Sequence, residues 1–105
     1  MLLVSGGETA NRDLLSTTEV ATYNTGVLVW REVGGIPSPQ RYLRADSLSN
    51  TVYLSGGENK EDSRSVLVWL PSAETFIEIG TLSHGRYHHA SIAIKDPFAL
   101  SVHCL

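Results

Sequence analysis

The run Leu2-Leu3-Val4-Ser5-Gly6-Gly7-Glu8 returns as Val52-Tyr53-Leu54-Ser55-Gly56-Gly57-Glu58. A 105-residue chain that writes one β-forming run and its glycine doublet twice is constrained to a repeat architecture. In such a fold each unit is one supersecondary element, and its core is shared with its neighbour. The later marks recur in the same order. After the first doublet come a polar stretch over 9–18 and then Val20, Tyr23 and Trp30; after the second come 59–64 and then Val66, Trp69 and Phe76. The two aromatic pairs are equally spaced. Each copy then reaches an Arg-Tyr-x-x-Ala element, beginning at Arg41 and at Arg86. Only the loop lengths differ.

Local pattern identifies the repeating element as β. Short runs rich in Val, Leu, Tyr, Trp and Thr alternate with Gly, Pro, Asn and Ser clusters. They predict strands over residues 2–5, 18–23, 28–33, 44–48, 52–55, 65–70, 76–79 and 90–94. Pro37, Pro39, Pro71 and Pro97 fall between these runs, where a ladder loses no donor. Residues 9–20 come nearest to a helix, but three threonines, a serine and an asparagine leave a poor apolar stripe. A repeat of this length holding four short strands is the signature of a propeller blade.

On these residues the chain resembles the kelch repeat family. The doublets Gly6-Gly7 and Gly56-Gly57, the aromatic pairs Tyr23/Trp30 and Trp69/Phe76, and Arg41 and Arg86 match that family's pattern. Trp69 and Phe76 replace the usual Tyr and Trp while keeping large aromatic bodies. The resemblance implies an all-β fold: a partial kelch-type propeller of antiparallel four-stranded blades, about one full blade plus parts of two neighbours. Its divisions are 1–36 (strands two to four of a blade), 40–82 (a full blade), 84–94 (the first strand of a third) and 95–105 (an off-pattern tail). The chain is thus expected to be a piece of a longer protein. Both tryptophans are expected in the core, and the arginines are expected to hold the Gly-Gly turns or a nearby carbonyl.

Composition removes several functional classes. The net charge of −3 is spread along the chain, so no basic stripe points to nucleic acid. No apolar run approaches the ~20 residues of a membrane helix. No secretion signal is visible, which leans toward the cytoplasm but leaves the compartment unknown. Cys104 is the single cysteine, which excludes an internal disulfide framework. Ser-Gly-Gly-Glu lacks the spacing of a phosphate loop. His84, His88 and His89 are close in sequence, but no acid or cysteine accompanies them, so neither a metal nor a cofactor is expected. Glu8 and Glu58 read as solvated turn acids.

The functional expectation is therefore a non-catalytic protein–protein interaction module. The resemblance implies an adaptor or scaffold, with contact residues just after the repeat's arginine: Tyr42 and Leu43 in one copy, Tyr87 and His88 in the other. The alternative is a fragment of a kelch-like copper-radical oxidase. That chemistry needs Tyr and His ligands with a cross-linked cysteine. The sequence offers Tyr42, Tyr87 and His88 but no internal cysteine.

Overall fold

A computed structural model of the protein describes residues 1–94. Every regular element among them is a strand. β1 (Leu2–Ser5), β2 (Thr18–Asn24) and β3 (Val27–Val33) form one antiparallel meander. β4 (Arg44–Leu48), β5 (Thr51–Ser55), β8 (Ser65–Leu70) and β9 (Thr75–Thr81) form a second. Between β5 and β8 the chain makes a small hairpin of β6 (Glu58–Asn59) and β7 (Glu61–Asp62), which the sequence pattern did not announce. The all-β expectation holds. The strands expected from 2–5 to 76–79 are all present, several lengthened by the residues that close their hairpins.

The turns follow from local chemistry. Thr25 and Gly26 both have positive φ (47° and 86°), the geometry of a two-residue hairpin whose twist matches its strands. Ser49 and Asn50 (51° and 64°) do the same between β4 and β5. Pro71 opens a longer connection between β8 and β9, closed by the pair Leu70 and Thr75.

The sheets stack face to face. Residues directly opposite on neighbouring strands share a face, so the registers fix which side chains meet. Leu3, Val20 and Val33 of the first sheet face Val52, Leu54, Leu67, Trp69 and Phe76 of the second, with Ile36 and Leu43 completing the cluster. Val20, Leu54 and Trp69 are all but inaccessible. Each such side chain contributes about 1.5–3 kcal/mol by leaving water. Trp69 and Phe76 lie directly opposite, ring centres 5.2 Å apart and tilted by 57°. Thr18 is fully buried, and its hydroxyl shares a 2.8 Å hydrogen bond with that of Ser5. Arg31 and Glu74 pair across the rim of the two sheets.

Three expectations need correction. Trp30 is not core: it is 42% exposed on the outer face of the first sheet, together with Leu2 and Val4. Tyr23 is 75% exposed near the β2–β3 turn. Its spacing to Trp30 matches that from Trp69 to Phe76, but the hairpins differ. Tyr23 opposes Leu28, whereas Trp69 opposes Phe76 itself, so the residue in Trp69's place is Ala21, opposite Trp30. Third, residues 90–94 pair with no strand among the described residues. A β-forming sequence needs a neighbour to complete its N–H and C=O bonds before it becomes a strand. The tail expected over 95–105, with Cys104, lies outside the described residues.

Candidate functional site

The two glycine doublets sit at the same structural step. Gly6 and Gly56 have φ of 69° and 66°, Gly7 and Gly57 of 101° and 112°, all in the region that only glycine enters freely. The Gly7 N–H donates to the Gln40 carbonyl, and the Gly57 N–H donates to that of Arg86. The Gly7 carbonyl accepts from Leu15 and the Gly57 carbonyl from Ser63. Gln40 then donates to Leu15, and Arg86 to Ser63. A Cβ on Gly6 would stand 2.9 Å from the Gln40 oxygen, and one on Gly56 would collide with the Arg86 oxygen.

This backbone pattern corrects the repeat by one residue. Gln40, not Arg41, occupies the place of Arg86; Arg41 matches Tyr87, Tyr42 matches His88, and Leu43 matches His89. Tyr42 and His88 are both left-handed, with φ of 60° and 53°. Leu43 lies beside Gly6 as His89 lies beside Gly56. The Arg-Tyr dipeptides align as letters but not as positions.

The arginines consequently do different work. Arg41 donates from Nε to Glu58 Oε1 at 2.7 Å and from Nη1 to Glu8 Oε2 at 2.8 Å. Both Gly-Gly-Glu copies therefore end on one guanidinium. Glu8 and Glu58 are not solvated turn acids: their side chains are only 26% and 18% exposed. Their hydrogen bonds and charges hold the Arg41 pKa above its usual value. Among the described residues the Arg86 side chain reaches only the His84 carbonyl, two residues back, at 3.4 Å. It is the Arg86 main chain that fixes the glycine turn.

Around Arg41 the structure gathers three of the four expected contact residues. The Tyr42 and His88 rings stack with centres 3.8 Å apart, and Tyr87 lies 6.0 Å from Tyr42 and 5.5 Å from His88. The His88 N–H donates to the Tyr42 carbonyl at 3.2 Å. The Arg41 guanidinium sits 4.8 Å from the Tyr42 ring centre, and the Tyr42 hydroxyl donates to Glu8 at 3.3 Å. Beside this group an open cleft of about 460 Å³ is lined by Arg12, Leu14, Arg41, Glu58 and Lys60. Leu43 does not belong to it, because its side chain packs on the core between the sheets.

The histidines part company. His88 joins the aromatic group, while His89 turns inward. His89 Nε2 is 2.9 Å from Ser55 Oγ, and Nδ1 is buried with no hydrogen-bond partner among the described residues. Burial first, then the charges of Arg44 and Arg86, lower its pKa, so the ring is neutral near pH 7. Among the described residues no three His, Cys, Asp or Glu converge as a metal site would require. Sequence reasoning missed Arg41 as a double ion-pair partner. The recurrence of Glu8 and Glu58 was the available signal.

No protein-family model matches the chain, and no curated protein matches it significantly.

Proposed function

We propose that this chain is a kelch-type propeller segment serving as a non-catalytic protein-binding module of an adaptor or scaffold. Its partner docks on the patch formed by Tyr42, Tyr87 and His88. The propeller reading is supported by two consecutive meanders that each contain an equivalent glycine turn and that stack face to face. One observation carries the binding reading: aromatics from two successive repeats converge on a single accessible patch, with Tyr87 39% exposed. Such rings offer a partner rigid area and a hydroxyl at little cost in side-chain entropy. Arg41, held by Glu8 and Glu58, keeps the base of the patch in place.

Selection of a peptide library on the chain tests this. Peptides that bind should lose affinity for the Tyr42→Ala/Tyr87→Ala variant by about 2 kcal/mol or more, roughly thirtyfold in Kd. Selected peptides that bind both proteins equally would move the contact surface elsewhere.

A further inference from the structure

The chain crosses from the first sheet to the second through residues 34–43, between β3 and β4, and the crossing is anchored on both sides of its crest. Before the crest, the Gly34 N–H donates to the Glu74 carbonyl and the Ile36 N–H to that of Ser16, each at 2.8 Å. The Ile36 side chain is buried in the core between the sheets. After the crest, the Gln40 N–H donates to the Leu15 carbonyl, and the Gln40 carbonyl accepts from Gly7. Pro37, Ser38 and Pro39 lie between these anchors, and among the described residues their main chain makes no hydrogen bond. Two of the three have no N–H to satisfy, and Pro37 and Ser38 are exposed. A residue that precedes proline is kept out of the helical region, so Pro37 and Pro39 hold Ile36 and Ser38 to extended backbone. The Ser38 hydroxyl accepts from Gln40 Nε2 at 3.1 Å, which leaves its own proton and a second lone pair free.

We infer that Ser38 is a phosphorylation site for a proline-directed protein kinase. An enzyme that reads Ser-Pro asks three things of a folded substrate: an exposed hydroxyl, extended backbone at the serine, and a following nitrogen that carries no hydrogen. Any following residue but proline would press an N–H against the enzyme with no acceptor to meet it. Ser38 meets all three conditions, and Ser38-Pro39 is the one Ser-Pro or Thr-Pro pair in the sequence. Arg41, three residues on, is not counted toward recognition, because Glu8 and Glu58 hold its guanidinium. In the transfer, Ser38 Oγ attacks the terminal phosphorus of magnesium-bound ATP. The Oγ–P bond forms, the bond from that phosphorus to its bridging oxygen breaks, and ADP leaves with the electron pair. The hydroxyl proton passes to the kinase's catalytic aspartate. The product carries about −1.5 to −2 charges at neutral pH. Gln40 Nε2 already donates to Ser38 Oγ, so it becomes the donor to a charged oxygen, a stronger bond than the present one. The phosphate therefore sits at the seam between the sheets, held by the residue whose main chain closes the Gly7 turn.

The experiment incubates the 105-residue chain with a purified proline-directed serine/threonine kinase, magnesium and ATP, and maps the product by mass spectrometry. The folded chain should take a single phosphate, on Ser38. Ser38→Ala should take none. Pro39→Ala should slow the transfer about tenfold or more, the effect of one N–H left without an acceptor. Circular dichroism checks that each variant keeps its β-signal, and the mapping of the wild type stands whether or not they do. After transfer, the Gln40 side-chain amide signals should shift in a nitrogen-15 NMR spectrum. A wild-type chain that stays unmodified overturns the inference, as does phosphate placed on another residue. Pro39→Ala modified at the wild-type rate overturns the proline-directed reading. Gln40 amide signals unmoved by the phosphate would overturn its placement beside Gln40. None of these readouts involves the Tyr42–Tyr87–His88 patch, so the two proposals fail separately.

Discussion

Gly56→Ala isolates the geometry on which the repeat depends. At φ of 66° an alanine pays about 1–2 kcal/mol for left-handed backbone. Its Cβ would also meet the Arg86 oxygen and stand 2.5 Å from His89 Cε1. That oxygen accepts the Gly57 N–H at 2.9 Å, and the ring holds Ser55 Oγ at 2.9 Å. Making room loosens one or both bonds, each worth about 0.5–1.5 kcal/mol. The total is a loss of about 2–5 kcal/mol. Gly80→Ala is the control. Gly80 has no positive φ and, among the described residues, nothing within 4 Å of an added Cβ, so alanine should be neutral or stabilising by up to ~1 kcal/mol. Urea titration followed by the fluorescence of buried Trp69 measures both, compared at a common m-value. Indistinguishable midpoints for the two variants would refute the argument that the doublet is fixed by a close backbone approach.

Arg41→Met should lower the melting temperature clearly more than Arg86→Met, because Arg41 joins two carboxylates and Arg86 makes one long hydrogen bond; calorimetry on the two variants checks the order. His89 is held neutral in the fold, so its contribution to stability is complete above the unfolded-state pKa near 6.5 and declines as pH falls toward its lowered folded-state value. His89→Leu, which copies Leu43 in the preceding repeat, should flatten that part of the stability–pH profile measured by urea titration. Trp69→Ala should cost about 3–5 kcal/mol and Trp30→Ala far less, since Trp69 is 3% exposed and Trp30 is 42% exposed; equal losses in urea titration would contradict the burial pattern.

Strand positions were legible because they depend on local chemistry: β-branched and aromatic runs bounded by Gly, Pro and Asn. The glycine doublets were legible because a backbone requirement admits almost one residue type. The aromatic equivalence was not. Tyr23 and Trp69 have the same distance in sequence to their partner aromatics, but a two-residue turn at Thr25-Gly26 and a longer turn after Pro71 convert that distance into different registers. A strand's faces alternate, so register decides burial, and turn length decides register. The Arg-Tyr elements misled for a related reason. Identity of letters suggested one alignment, whereas the hydrogen bonds of Gly7 and Gly57 impose another, one residue away. Tyr42, Tyr87 and His88, expected together by analogy with the repeat, are neighbours in the structure, whereas the corrected register turns Leu43 inward beside Gly6 and onto the core.

The corrected register also explains how one scaffold tolerates different chemistry at equivalent places. The Ser5 hydroxyl finds Thr18 across the ladder. Ser55 faces Val66 at the same step, which offers no partner, and its hydroxyl is met instead by His89, in the position that Leu43 fills in the first repeat. The polar atom is satisfied both times, by different elements. At the joint between repeats, Arg41 and Tyr42 are answered by Tyr87 and His88. The backbone bonds of the preceding residue, Gln40 or Arg86, to the glycine turn repeat, while the side chains that follow differ. The left-handed residues Tyr42 and His88 are brought to ring stacking at 3.8 Å because successive joints lie next to each other. A repeat protein of this construction gathers its variable side chains where its main chain is most constant. That coincidence of a fixed frame and variable chemistry is the physical reason for proposing the Tyr42–Tyr87–His88 patch, rather than the more apolar outer face of the first sheet, as the contact surface.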